Sequence, residues 1–249
     1  MKIIVGHLYP ELLNLYGDRG NIISISNRCQ WRNIEVEIKQ YKLNDEINFN
    51  EVDIVFIGGG SDREQLLVGK RLLDIKKDFQ DYIENNGVTL TICGGYQLLG
   101  HYYKLQNETI NALGILDIYT ESEDGRLIGN VVIQSDFLGE KSTLVGFENH
   151  GGRTYINEHT PLGKTIVGFG NNGSDGGEGI IYKNTIGTYL HGPILPKNPN
   201  LTDYLIFKAL EKRFDTTKEA FDKLKLDDTL EYLAHDTMIK RLTNVNICN

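Results

Sequence analysis

TLTICGGYQLLG, residues 89–100, is the stretch that decides the fold. Its apolar and β-branched residues up to Ile92 predict a buried strand, and YQLLG predicts a short helix. Between them stand Cys93 and two glycines. A strand-to-helix turn this tight strains its apical residue and needs small neighbours, as in a nucleophile elbow. The stretch therefore predicts a reactive cysteine at the carboxyl end of a strand.

The chain around this turn alternates between strand-like and helix-like patterns. The first hundred residues contain four strand-like segments: KIIVGHLY, VEIKQYKL, VDIVFIGGG and VTLTICGG. Apolar residues at helical spacing precede the last of them and predict a helix that stops near Asn86-Gly87. This alternation predicts an α/β fold, a doubly wound, mostly parallel sheet with helices on both faces.

Beyond Leu113 the pattern changes to short strand-like runs separated by turns rich in glycine and asparagine. These runs predict added antiparallel strands and hairpins that partly extend the sheet. After Pro199 the pattern becomes helical again, which predicts C-terminal helices, the last of them either a peripheral appendage or a docking surface.

Composition excludes several classes of protein. The 249 residues are 40% hydrophobic and 24% charged, which is typical of a globular protein. No apolar stretch approaches the roughly 20 residues that a membrane-spanning helix needs. The N-terminus resembles a first strand more than a signal peptide, which predicts a cytoplasmic protein. A net charge of -8 disfavours nucleic acid as a partner.

The three cysteines lack the spacing of zinc ligands, and their odd number disfavours a disulfide framework. Cys93 is expected to be activated, because the helix after the turn directs its free N–H groups at the sulfur. The alternative is a small buried hydrophobe, the commonest role of a free cysteine. We adopt that interpretation for Cys29 and expect Cys248 to be an exposed thiol.

A nucleophilic cysteine needs a base, most often histidine. His191, in GTYLHGP, ends an apolar strand and precedes a glycine, so its ring can reach the sheet edge that holds Cys93. His150, in FENHGGRT, is the second choice, with a histidine that hydrogen-bonds the backbone as an equal alternative. His7 could line the same edge. The remaining histidines are expected at the surface: His101, His159 and His235.

A second glycine cluster, VDIVFIGGGSDREQ, also ends a strand. It lacks the Gly-Lys-Ser/Thr ending of a phosphate loop and the GxGxxG dinucleotide pattern. The backbone N–H groups of Gly60 and Gly94 can together hold the oxyanion of a tetrahedral intermediate, whereas the alternative is a flexible connection. The acidic loop GNNGSDGGEG has poor spacing for calcium ligands, so we expect no metal site.

The ordered set of motifs resembles the class I, or triad, glutamine amidotransferases of the branch related to cobyric acid synthase. Within that branch LNLYGDRGNI, FIGGGSDREQ, LTICGGYQLLG, GFENHGGRT and GTYLHGPILPKN resemble the GatD-type subunits of lipid II isoglutaminyl synthases. The resemblance covers residues 1 to about 213. It implies a flavodoxin-like glutamine amidotransferase domain over residues 1–213, followed by a C-terminal helical extension over residues 214–249.

The resemblance also implies a reaction. Cys93 attacks the side-chain amide of glutamine, ammonia leaves, and water hydrolyses the γ-glutamyl thioester to glutamate. By the same analogy His191 moves the proton, and the N–H groups of Gly60 and Gly94 form the oxyanion hole.

Two further residues are implied to hold the substrate glutamine. Gln97 lies on the helix of the elbow, and Arg126, in GRLIGN, matches an arginine at the mouth of the site. An arginine suits the α-carboxylate of glutamine because it can form a bidentate pair with it.

Two positions depart from the family pattern. Thr91 stands where the elbow usually has glycine, and Pro193 stands where the family carries the glutamate that orients the histidine. An imidazole without such a group is a weaker base, because the third group fixes its tautomer and position. We hypothesise that a partner synthetase supplies the acid, with Asp18 of LYGDRG as the alternative within this chain.

Nothing in these residues resembles an ATP site, so we expect no cofactor in this chain. The resemblance implies a heterodimer with a Mur-ligase-like synthetase, which uses ATP and Mg²⁺ to amidate the D-glutamate of the lipid II stem peptide to D-isoglutamine. The resemblance further implies that the complex works in the cytoplasm, near the inner membrane face through its lipid-linked substrate. The alternatives are amidotransfer to another acceptor such as a corrinoid, hydrolysis of γ-glutamyl compounds, and a catalytically silent regulatory or binding subunit.

Overall fold

The structure, a computed structural model, describes residues 1–245, so Cys248 lies outside the described residues. The strands are β1 (Lys2–Leu8), β2 (Glu35–Tyr41), β3 (Ile54–Ile57), β4 (Val88–Ile92), β5 (Tyr102–Lys104), β6 (Thr109–Asn111), β7 (Tyr119–Gln134), β8 (Thr143–Tyr155), β9 (Gly163–Val167), β10 (Gly177–Glu178), β11 (Ile180–Tyr182) and β12 (Thr185–Thr188). The helices are α1 (Arg19–Gln30), α2 (Asp62–Asp74), α3 (Lys76–Glu84), α4 (Gly94–Gln97), α5 (Pro199–Phe214), α6 (Lys218–Asp222) and α7 (Thr229–Val245).

The first sheet has the strand order β11-β12-β4-β3-β1-β2. Its neighbours pair in parallel except for β11, which is antiparallel to β12. Every residue of β3 and β4 is buried. Because successive strand residues point to opposite faces, both faces of the sheet are covered. The predicted doubly wound, mostly parallel sheet is confirmed, and Cys93 lies at the carboxyl end of its strand β4.

The strands predicted after Leu113 divide between two sheets. β12 and β11 extend the first sheet, as predicted. The others form a second sheet of order β10-β9-β7-β5-β6, with β8 paired to β7. β7 and β8 are adjacent in the chain and pair antiparallel over most of their length, with a register shift between Ser122 and Leu127. The long β7–β8 hairpin thus forms the centre of a second sheet instead of adding strands to the first.

The C-terminal helices pack on the outside of this core. α5 is largely buried, Phe221 anchors α6 at 4% exposure, and His235 of α7 is 5% exposed. The ring of His235 contacts the Lys197 carbonyl at 2.9 Å and the Thr143 hydroxyl at 2.8 Å. The predicted surface position of His235 was wrong, because α7 turns this side chain inward. No helix within residues 1–245 is long and apolar enough to cross a bilayer.

Candidate active site

Cys93 stands at a strained turn between β4 and α4. Its backbone has φ 49° and ψ -104°, a conformation that residues with side chains rarely adopt, and its N–H donates to the Thr188 carbonyl at 2.8 Å. A Cβ atom at Gly95 would lie 2.7 Å from the Ile57 carbonyl oxygen, so only glycine fits there. Such strain costs about 1 to 3 kcal/mol and persists where the surroundings enforce it. The turn has the geometry of a nucleophile elbow.

The two departures from the family pattern have structural explanations. The buried Thr91 hydroxyl donates to the Ile186 carbonyl at 3.3 Å, so threonine is accommodated inside the sheet beside the elbow. Pro193 packs against Gly20 in the first turn of α1, where a Cβ atom on Gly20 would meet the proline ring. The position of the family glutamate is thus occupied by a packing contact, directly beside the segment that carries Asp18.

His191 faces the elbow from the chain that follows β12, three residues after Thr188. Its backbone exchanges hydrogen bonds with Phe147 at 2.7 and 3.2 Å, which fixes its position between the two sheets, and it is fully buried. A Cβ atom on Gly59 would lie 2.9 Å from His191 Cε1 and 3.3 Å from Cys93 Cβ, so both side chains adjoin this glycine. The structure brings the predicted cysteine and histidine together.

Asp18 lies on the other side of the imidazole. It is fully buried; its Oδ2 accepts the Gly59 N–H at 2.7 Å, and its Oδ1 is 3.5 Å from His191 Nδ1. Burial lowers the pKa of His191, but Cys93 and Asp18 beside the ring outweigh burial and raise it to about 10. The imidazolium is therefore the favoured form of His191.

The two ring nitrogens of His191 make contacts that are too long for good hydrogen bonds. Neither ring nitrogen of His191 has a well-formed hydrogen bond to another group in residues 1–245. Catalytic hydrogen bonds are often long in a ligand-free enzyme and shorten when substrate is bound. The site thus has the arrangement of a catalytic triad, with Cys93 as the nucleophile, His191 as the base and Asp18 as the orienting acid.

Two backbone N–H groups near the thiol are available for a ligand. Neither the Gly60 nor the Gly94 N–H donates to an acceptor in the described part of the chain, whereas the neighbouring Gly59 N–H is used by Asp18. Gln65 joins the two loops, since its amide donates to the Gly60 carbonyl at 3.2 Å and its side chain lies against Gly94. Gln65 was not predicted from the sequence, because a glutamine in the first turns of a helix has no distinctive pattern.

The two predicted substrate-binding residues lie in different surroundings. Arg126 is exposed on β7, where its Nε and Nη2 donate to the side-chain and main-chain oxygens of Asn149 at 2.7 and 2.8 Å. Gln97 is 2% exposed, and its Nε2 donates to the Tyr189 hydroxyl at 2.9 Å. Arg126 is thus accessible to a carboxylate, while the Gln97 amide is held behind the elbow.

The other predicted histidines do not join the catalytic pair. His150 stacks on the Tyr189 ring at 3.6 Å, and its Nδ1 donates to the Gly152 carbonyl at 2.7 Å. This is the backbone-bonding role weighed as its alternative. His7 is 2% exposed beside Phe56, and burial lowers its pKa to about 4, so its ring is uncharged. Cys29 is fully buried, as expected.

Tyr16 and Asn149 complete the mouth of the site, and neither was predicted from the sequence. The Tyr16 ring lies 4.9 Å from the His191 ring, and its hydroxyl accepts from Asn149 Nδ2 at 2.7 Å. Asn149 directly precedes His150, and Tyr16 lies two residues before Asp18, so both belong to motifs already quoted. Among residues 1–245 there is no cluster of three or more histidine, cysteine or acidic side chains that could hold a metal ion.

Comparison with known proteins gives a consistent picture. A model of the CobB/CobQ-like glutamine amidotransferase domain matches residues 4–199. The chain is 48% identical over 241 residues to the lipid II isoglutaminyl synthase (glutamine-hydrolyzing) subunit GatD of Staphylococcus aureus, covering 96% of each protein. It is 41% identical over 216 residues to the subunit of the same name from Streptococcus pneumoniae, covering 86% of this chain and 82% of that relative.

Among solved structures the chain is similar to a glutamine amidotransferase from Thermotoga maritima, with a TM-score of 0.51 at 16% identity. The superposition covers 96% of this chain and 97% of that one. An identity this low bears on the fold alone, and the predicted flavodoxin-like amidotransferase fold is confirmed.

Proposed function

Because the chain belongs to the CobB/CobQ-like glutamine amidotransferase family, we propose that it is a glutaminase subunit that hydrolyses L-glutamine to glutamate and supplies ammonia to a synthetase. One observation carries the proposal: Cys93 stands on a strained elbow with the buried His191 and Asp18 in line beside it. A subunit without turnover would not need to maintain this strain and these buried charges.

The reaction follows from these positions. The Cys93 thiolate attacks the side-chain carbonyl carbon of glutamine, and the oxygen becomes an oxyanion held by the N–H groups of Gly60 and Gly94. One such donor typically contributes about 3 to 4 kcal/mol to the transition state. The His191 imidazolium gives its proton to the leaving nitrogen, ammonia departs, and a γ-glutamyl thioester remains on Cys93.

The second half regenerates the enzyme. His191, now neutral, takes a proton from water, and the resulting hydroxide attacks the thioester carbonyl carbon. The same two N–H groups hold the second oxyanion, which collapses to expel the Cys93 thiolate and release glutamate. His191 ends as the imidazolium, so the initial ion pair is restored.

Asp18 is proposed as the orienting acid, in preference to an acid from the partner. It is buried, fixed by the Gly59 N–H and placed at Nδ1 of His191. This contact keeps the proton on Nδ1 while Nε2 exchanges protons with substrate and water. Arg126 is proposed to bind the α-carboxylate of glutamine, since its guanidinium is exposed at the mouth and suits a bidentate pair. Gln97, which the resemblance implied to hold glutamine, is instead proposed to support the elbow helix, because it is 2% exposed and its amide donates to the Tyr189 hydroxyl.

The ammonia acceptor is proposed from the relatives. The match to the GatD subunits runs almost end to end, covering 96% of this chain and of the Staphylococcus aureus protein. It favours a complex with a Mur-ligase-like synthetase that amidates the D-glutamate of the lipid II stem peptide, over amidotransfer to a corrinoid. ATP and Mg²⁺ belong to the synthetase, and this chain needs no cofactor of its own. The complex works in the cytoplasm, at the membrane face through its lipid-linked substrate.

Release of ammonia and glutamate from L-glutamine tests the proposal, measured for the chain alone and with its candidate synthetase. We expect equal amounts of both products from the complex and none above background after Cys93→Ala. Cys29→Ala is the matched control, because it removes a buried thiol that faces no substrate. Absence of Cys93-dependent release in both preparations would favour the catalytically silent subunit.

A further inference from the structure

The segment Leu15–Gly17, a single 3-10 turn, lies over the imidazole of His191. The ring of Tyr16 meets the His191 ring in a T-shaped contact, with 4.9 Å between centroids and 67° between planes. The Tyr16 side chain is 44% exposed, so it separates the imidazole from solvent. Asp18 directly follows this segment and contacts the imidazole at Nδ1. The short stretch of residues 15–18 thus supplies two of the groups around His191.

The backbone of this segment is held in an uncommon conformation. Tyr16 has φ 54° and ψ 26°, in the left-handed region that residues with side chains seldom occupy. Hydrogen bonds to one residue enforce it from both sides: the Leu15 N–H donates to the Gly59 carbonyl at 3.1 Å, and Asp18 accepts the Gly59 N–H at 2.7 Å. Strained residues of this kind persist where the surrounding contacts over-determine them.

The hydroxyl of Tyr16 is tied to the mouth of the site. It accepts a hydrogen bond from Asn149 Nδ2 at 2.7 Å, and Asn149 Oδ1 accepts one from Arg126 Nε at 2.7 Å. The Asn149 carbonyl accepts a second bond from Arg126 at 2.8 Å. Arg126 lies in the part of β7 where the pairing with β8 is interrupted by a register shift, so it has no paired residue on β8. The hydrogen bonds to Asn149 fix the direction of the Arg126 side chain. Contacts therefore run without interruption from Arg126 through Asn149 and Tyr16 to His191.

We propose that Tyr16 is a positioning residue for His191, and that Asn149 links it to Arg126. The inference rests on the proposed function, in which Arg126 binds the α-carboxylate of glutamine. The aromatic contact restrains rotation of the imidazole, and the hydroxyl fixes the ring of Tyr16. The link holds the carboxylate-binding residue and the base in one rigid arrangement, so the bound amide is delivered to Cys93 in reacting geometry.

Steady-state glutamine hydrolysis tests the proposal, with kcat and KM measured separately in the complex with the synthetase. Tyr16→Ala removes the ring, and we expect kcat to fall about tenfold or more while KM stays within about twofold. Tyr16→Phe keeps the ring, so we expect it to recover most of that loss and remain about threefold slower than the wild type. Tyr204→Phe is the matched control, a hydroxyl removed on α5 where the ring packs on Phe137.

The link through Asn149 is tested by a double-mutant cycle. Asn149→Ala frees Arg126, so we expect a lower kcat together with a higher KM, unlike Tyr16→Phe. Because both substitutions break the same link, the kcat of Tyr16→Phe/Asn149→Ala should be no lower than that of the slower single variant. The proposal would be overturned if the loss of kcat in the double variant equalled the product of the two single losses. It would also be overturned if Tyr16→Phe were indistinguishable from the wild type, and both tests hold even if Tyr16→Ala does not fold.

Failure of the proposed function and failure of the positioning role give different results. If the wild-type complex releases no glutamate and Cys93 is not alkylated by a glutamine analogue, the proposed function fails. If the wild type is active but the Tyr16 and Asn149 variants match it in kcat, the positioning role alone is wrong. Circular dichroism and thermal unfolding of each variant separate loss of structure from loss of rate.

Discussion

Asp18→Asn tests the catalytic arrangement most sharply within this chain. Asparagine has the same shape, and its oxygen can still accept the Gly59 N–H that Asp18 accepts at 2.7 Å. What is lost is the negative charge 3.5 Å from His191 Nδ1. At an effective dielectric constant of about 20, two unit charges at this distance interact by about 5 kcal/mol. Because about 1.4 kcal/mol changes a rate tenfold and local rearrangement recovers part of the loss, we expect kcat to fall about 100-fold.

The assay is glutamate release by the complex across a range of glutamine concentrations. KM should change little, because the substrate carboxylate meets Arg126 and not Asp18. Asp215→Asn is the control: Asp215 is exposed in a left-handed conformation that asparagine also adopts readily. An Asp18→Asn enzyme with a kcat within about twofold of the wild type would refute the reasoning. The orienting acid would then have to come from the partner, as first hypothesised.

Three further outcomes are expected. Arg126→Lys should raise KM for glutamine about tenfold or more with a smaller effect on kcat, because lysine cannot form the bidentate pair; initial rates measure this. Gly95→Ala should abolish activity and lower the melting temperature, since its Cβ would meet the Ile57 carbonyl, whereas Gly129→Ala has open space and should do neither. Glu178 is fully buried, and burial raises its pKa to about 7 from the usual 4.5. Its protonated form therefore stabilises the fold below pH 4.5, and this contribution is lost as pH rises through 7; Glu178→Gln should flatten that fall in the free energy of unfolding, measured by denaturant titration.

The sequence was most informative where one local pattern determined one local structure. Cys93 between a β-branched strand and two glycines predicted the elbow, and the alternation of strands and helices predicted the parallel sheet. His191 was found by the same reasoning, because a polar residue at the end of a buried strand must lie at the sheet edge. Each of these inferences needed only neighbouring residues.

The remaining features depend on contacts between distant segments. The motif LYGDRG alone does not predict that Asp18 reaches His191. That contact forms only because the loop after β1 lies against Gly59. Tyr16 and Asn149 meet from positions 133 residues apart, and Gln65 was overlooked because a glutamine inside a helix has no distinctive pattern. The second sheet was likewise not predicted, because strand-like runs do not specify which sheet they join.

The central claim is that Cys93 forms a covalent bond with the substrate, and trapping that intermediate tests it most directly. The complex is mixed with L-glutamine, quenched with acid within its turnover time, digested and examined by mass spectrometry. We expect one γ-glutamyl group on the peptide that contains Cys93 in the wild type, and none on the same peptide of Cys93→Ala. Release of glutamate at the full wild-type rate by Cys93→Ala, with no adduct on the wild-type peptide, would contradict it.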